Sequence, residues 1–244
     1  IMFWNLVRYE FKNVNKWYLA LYGAVLALSV IIGLQASAIK MLSSQDQESI
    51  MLVFQAFIFG GLIITMSIST LILIIRRFKG SVYERQGYLT LTLPVSEHQI
   101  ILAKLLGAFL WSLLSTAVFI LSIYIFLVTV DPQIIDVYMI RYFFGHYLDS
   151  IGLSLISYIF STVAGILCIY LSISIGQLFN EYRTALAVVA YIVIQTILGF
   201  ITLNLRIDFD YNWTISFEIL KDLILSVVFY LGTYYILKNK VNLQ

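Results

Sequence analysis

The sequence predicts an all-α integral membrane protein with six transmembrane helices, an N-terminal amphipathic helix in the membrane interface, and both termini on the cytoplasmic side. Three observations carry this. The 244 residues are 61% hydrophobic and only 11% charged, where soluble domains run at about 45–50% and about 25%. Mean hydropathy is +0.94, so there are too few polar side chains to cover a water-facing surface. The apolar residues also fall into six runs of the length a bilayer requires.

A helix rising 1.5 Å per residue needs about 20 apolar residues to cross about 30 Å of hydrocarbon. The qualifying runs are Trp17 to Ile39, Ile50 to Ile75, Leu105 to Val130, Ile151 to Gly176, Thr184 to Leu203 and Ile219 to Leu237. Barrel strands would alternate apolar and polar over about ten residues, whereas Leu71 to Ile75 and Val118 to Val130 are almost unbroken apolar stretches. Almost the only charges inside the runs are Lys221 and Asp222, expected in the first turn of the last span, where they reach the interface. A cleaved signal peptide is not expected, because an amphipathic stretch precedes the first run and no small-residue cleavage site with a soluble domain follows it.

Lys and Arg in short loops stay cytoplasmic. One set of connections, with both terminal segments, holds 11 basic and 4 acidic residues, and the other holds 4 basic and 9 acidic. The asymmetry places both termini in the cytoplasm, and the even number of spans, which puts them on one side, agrees with it. Before the first span, Phe3, Val7, Phe11 and Val14 recur on one helical face with Arg8, Lys12 and Lys16 elsewhere, and Trp4 and Trp17 stand at the ends. This reads as an interfacial helix anchored among lipid headgroups; a short soluble helix packed on the loops is the alternative.

The most informative stretch is the connection Arg76 to Lys104, RRFKGSVYERQGYLTLTLPVSEHQIILAK. Pro94 ends what precedes it. Ser96 can cap the next helix, with Gln99 three residues later completing a capping box, and that helix runs on as the third span. Gly87 breaks the helix continuing from Ile75, leaving Tyr88 to Leu93 as a compact piece between two long struts, and the whole connection is longer than the 2–8 residues that usually join helices. The pattern Glu84, Gly87, Leu89, Leu91, Leu93, Pro94, Val95, Ser96, Ile100, Ile101 and Lys104 resembles the corresponding loop of ABC-2 type transporter permeases. Tyr88, where many relatives carry threonine, and Glu97, where many carry a base, depart from it.

The resemblance covers the whole length and implies a type V exporter-like permease of the bacterial cytoplasmic membrane. It implies a coupling helix that docks in a groove of an ABC ATPase subunit, with Glu84, Arg85, Gly87, Tyr88, Leu89, Leu91, Leu93 and Pro94 as the coupling residues. It further implies a second permease, as homodimer or heterodimer, and a substrate that is a hydrophobic or amphipathic peptide, lipid or drug. ATP and Mg would sit on the partner subunit. No G-x-x-x-x-G-K-[ST] phosphate loop occurs, so the chain is not expected to be an enzyme or to hold a cofactor of its own; no nucleic-acid partner is expected.

Ion-coupled carriers place charges at mid-membrane, and none is expected here. His98 and His146 fall on opposite sides, and a single cysteine excludes multi-cysteine metal sites. Along the fourth span Ser154, Ser157, Ser161, Gly165, Cys168, Ser172 and Gly176 form one stripe of small residues, expected as a packing seam. Gln55, Thr65, Ser69, Gln195 and Thr196 are candidates to line a pathway, the alternative being that the hydroxyls bond their own backbone. The segment Asn204 to Glu218 is expected either as a re-entrant closure of the outer mouth or as a solvated loop, and Asn212-Trp213-Thr214, a formal glycosylation sequon, carries little weight in a bacterial protein. A membrane scaffold or immunity protein that binds a peptide or lipid without ATP is the competing function.

Overall fold

The computed structural model describes residues 4, 6–8, 16–42, 45–83, 96–130, 137–179, 181–204 and 211–239. Among them there is helix and no strand. The six long helices are α1 (Lys16–Leu42), α2 (Gln45–Val82), α3 (Glu97–Val130), α4 (Val137–Gly176), α5 (Arg183–Asn204) and α6 (Tyr211–Asn239). Five of them, α1 to α5, are long and apolar enough to cross a membrane. They cover the apolar runs, and α2, α3 and α4 extend beyond them. Their faces explain why water is the wrong solvent: Phe57 is 75% exposed and Phe200 and Leu203 are each 70% exposed. Such apolar surface is stable only against lipid or another chain.

Two differences from the expected spans follow from backbone hydrogen bonding, which favours carrying a helix on past the hydrocarbon edge rather than leaving its end groups unpaired. Of the segment after Asn204, residues 205–210 lie outside the described residues, and Tyr211 to Glu218 form the opening turns of α6. Consequently Lys221 and Asp222 do not lie in a first turn. They stand about 15 Å along the helix from Tyr211.

Contacts group the chain into two compact units. One comprises Ile1–Lys12, Leu73–Phe109 and Leu148–Gln244, and the other Asn13–Ile72 and Leu110–Tyr147. In the first, α4 is the central element. Ile166, Leu167, Cys168, Ile169, Tyr170 and Ile173 are buried with Ile74, Phe78 and Val82 of α2, Ile100, Ile101 and Ala108 of α3, and Phe229 and Leu237 of α6. At Gly176, the last residue of α4, a Cβ would overlap the carbonyl oxygen of Arg183 and crowd Ala187 Cβ at 2.7 Å, so glycine is what lets the start of α5 come this close. The chain then turns through Tyr182, whose φ of 54° is left-handed, and its carbonyl accepts from Leu186 N at 2.9 Å to open α5.

The second unit packs α1 against the distal part of α3. A Cβ on Gly33 would overlap Thr129 Oγ1, so glycine is what lets these two helices approach, as small residues do in lipid. Phe59 and Phe126 stack at 5.0 Å between centroids, and Tyr22 lies 6.5 Å from Trp111.

Candidate functional site

The expected coupling residues Glu84, Arg85, Gly87, Tyr88, Leu89, Leu91, Leu93 and Pro94 lie outside the described residues, as do Phe3, Phe11 and Val14 of the expected interfacial helix. The two flanks of the 84–95 segment are described, and both belong to the α4-centred unit. On the upstream flank, Phe78 stacks on Tyr170 of α4 with ring centroids 3.9 Å apart and planes 9° apart. Tyr83 meets Phe78 edge-on at 6.0 Å and donates its hydroxyl to Ser174 Oγ at 2.8 Å. Ser174 in turn donates to the Tyr170 carbonyl at 2.8 Å. Burial disfavours the phenolate and pushes the Tyr83 hydroxyl up to about 12, with the Ser174 bond opposing in part. Lys79 Nζ donates to Thr184 Oγ1 of α5 at 2.9 Å.

On the downstream flank Ser96 caps α3, its Oγ 3.4 Å from Gln99 N, a long bond of the kind the capping pattern predicts. His98, expected as an ordinary interfacial residue, is tied to α6. Its Nδ1 is 2.6 Å from the Tyr230 hydroxyl, and its ring stacks on Tyr234 at 3.9 Å. Lys238 Nζ stands 5.5 Å from the same Tyr234 ring. Ile100, Ile101 and Lys104, the last residues of the loop pattern, are buried. The flanks of one segment are thus fastened to α4, α5 and α6 by side-chain bonds and stacked rings.

Of the expected anchors, Trp4 is helical and exposed, Val7 is helical and buried, and Trp17 falls in the first turn of α1. Of the expected pathway residues, Thr65, Ser69 and Thr196 donate to the carbonyls of Gly61, Thr65 and Ile192, four residues back on their own helices. This is the backbone-bonding alternative. Gln55 is buried, with Oε1 left without a hydrogen-bond partner. Gln195 lines a cavity. It donates from Nε2 to Cys168 Sγ at 3.7 Å.

That cavity, a cleft of about 570 Å³ between α4, α5 and α6, includes Ser157, Ser161 and Cys168 of α4, Gln195 and Thr202 of α5, and Glu218, Lys221, Asp222, Leu225 and Phe229 of α6 among its lining residues. The small-residue stripe therefore divides. Ser172 and Gly176 are buried or closely packed, as a seam requires, whereas Ser157, Ser161, Gly165 and Cys168 line the cleft. Sequence reading missed this site because it placed Lys221 and Asp222 at a helix start. The available signal was the spacing of Glu218, Lys221, Asp222, Leu225 and Phe229, which share one helical face.

Among the described residues no group of three or more His, Cys, Asp or Glu side chains is placed to hold a metal ion. No protein-family model, curated protein sequence or solved structure matches the chain.

Proposed function

We propose that the chain is the permease subunit of an ATP-driven ABC exporter, moving a hydrophobic or amphipathic substrate across a cytoplasmic membrane, with ATP hydrolysed by a separate subunit. The observation that carries the reading is the fastening of both flanks of residues 84–95. Tyr83 and Phe78 hold α4, Lys79 holds α5 and His98 holds α6. A segment docked on an ATPase and pushed by its closure would move these three helices together instead of bending its own supports. The loop pattern Glu84 to Lys104 and the loop-charge asymmetry support the same reading. So does the length of the helices: with α6 counted as the sixth span, α1 to α6 return the chain to the side on which it began.

In this mechanism the permease contributes no chemistry. The 84–95 segment is the contact with the ATPase, Glu84 and Arg85 supply its charge complementarity, and Gly87 and Pro94 delimit the short piece between the struts. A second permease, identical or related, would complete the conduit. The experiment is co-purification from the native membrane. An ATPase subunit carrying a phosphate loop is expected to accompany the chain, and Glu84→Lys or Arg85→Glu should dissociate it while leaving the permease folded. A permease that purifies to homogeneity without such a partner, and shows substrate or peptide binding unaffected by ATP, would instead support the scaffold reading.

A further inference from the structure

The α4–α5–α6 cleft has a charge and polarity gradient that specifies an occupant. At one end stand Glu218, Lys221 and Asp222. Lys221 Nζ is 3.8 Å from Asp222 Oδ1, a loose pair, and the lining carries two carboxylates against one ammonium. Glu218, three and four residues back on the same face, supplies the surplus negative charge. Along α6 the lining then turns apolar through Leu225 to Phe229, eleven residues and about 16 Å from Glu218. Leu198 of α5 and Ala164 and Gly165 of α4 face it. The far end closes on the Gln195–Cys168 pair. The volume falls within the roughly 300–1,000 Å³ of sites that take small organic molecules.

We infer that this cleft binds an amphipathic monocation: an ammonium group against Glu218, with an apolar chain lying along Leu225, Leu198 and Phe229. A carboxylate in a partly buried wall is costly unless a cation compensates it, and with Glu218 and Asp222 set against Lys221 alone the lining keeps a net negative charge. An anion would meet that surplus charge unfavourably, and an uncharged amphiphile would gain only from the apolar wall. Binding requires nothing of the ATPase; that the occupant is the exported substrate rests on the permease reading above.

Ser161 is exposed on the cleft wall, and the chain has one cysteine, Cys168, which permits a local reporter. In the full chain carrying Cys168→Ser and Ser161→Cys, reconstituted in phosphatidylcholine nanodiscs, the rate of labelling by uncharged N-ethylmaleimide reports occupancy. Dodecylammonium should slow labelling several-fold, and dodecyl sulfate or dodecanol at matched mole fraction should do so much less. Adding Glu218→Gln should erase the preference for the ammonium. Adding Lys221→Gln should strengthen it, so that half-protection needs several-fold less ammonium; a gain of this kind does not arise from misfolding. Equal protection by all three amphiphiles, an unchanged preference after Glu218→Gln, or a reporter that never labels in the ligand-free protein would each overturn the inference. Co-purification of an ATPase is decided separately, so either idea can fail while the other stands.

Discussion

The two units hold their helices together by different means. In the α4-centred unit, polar side chains reach across from one helix to another: Tyr83 to Ser174, Lys79 to Thr184, His98 to Tyr230 and Gln195 to Cys168. In both units many hydroxyls also turn back on their own helices, as Ser172, Thr196 and Thr233 do in this one and Thr65, Ser67 and Thr129 in the other. Thr70, 2.8 Å from Ser115, is the cross-helix hydroxyl pair described there. The difference follows from the solvent. Where apolar burial gains little against lipid, helices associate through close packing or polar bonds. The second unit packs closely at Gly33 and the first at Gly176, and the first adds several side-chain bonds between helices.

The two close approaches break the comparison most sharply. Gly176→Ala sets a new Cβ against the Arg183 carbonyl and the Ala187 backbone nitrogen, atoms that no rotamer change can move. About 3 kcal/mol or more should be lost, read as a large drop in thermal midpoint or in accumulation. Gly33→Ala instead meets Thr129 Oγ1, a side-chain atom held by donation to the carbonyls of Ile125 and Phe126 at 2.8 and 2.9 Å. About 2 kcal/mol is expected there. Because Thr129 Cβ would also lie 2.8 Å from the new methyl, adding Thr129→Gly should recover much of it, whereas trimming Ala187 to glycine should not rescue Gly176→Ala. Rescue at both positions would show that the first unit is no more rigid than the second.

Helix identity was legible in the sequence because a bilayer imposes a length rule on composition, and all six apolar runs fall within helices. What was not legible depends on three-dimensional pairing. A histidine in a polar stretch, such as His98, gives no sign that a tyrosine 132 residues later will sit 2.6 Å from it. The small-residue stripe of α4 was visible by periodicity, yet periodicity cannot say that its Ser157 and Ser161 face a cleft while its Ser172 is buried. Nor does composition show that α6 begins at Tyr211. Hydropathy averages through Glu218, Lys221 and Asp222 and puts the span's edge where the charges are.

Alkaline unfolding tests the directional bonds. The Tyr83 hydroxyl has its folded pKa near 12, against an ordinary 10.0. Because the folded value is the raised one, the stabilisation from keeping this group neutral is complete below pH 10 and is lost as pH climbs toward 12. Tyr83→Phe should therefore flatten the fall in stability between pH 10 and 12 by on the order of 2 kcal/mol. At neutral pH the same substitution should cost about 1 kcal/mol, for the lost donation to Ser174. Parallel alkaline limbs for wild type and variant would mean that Tyr83 is open to solvent and clamps nothing.

Smaller effects separate cross-helix bonds from backbone-bonded hydroxyls. His98→Ala removes both the Tyr230 contact and the Tyr234 stack, and about 1–2 kcal/mol should follow. Thr70→Val breaks the pair with Ser115 for about 0.6 kcal/mol, a typical value for interhelical hydrogen bonds in membranes. Thr65→Val and Ser69→Ala, whose hydroxyls serve only carbonyls already bonded within α2, should leave the thermal midpoint within about 0.5 kcal/mol of the parent. They should also leave transport unchanged once a substrate is in hand, because a hydroxyl satisfied by its own backbone has little to offer a passing ligand. A transport defect at either position with stability intact would return α2 to the list of pathway helices. It would also show that these hydroxyls rotate away from their own carbonyls when a substrate arrives.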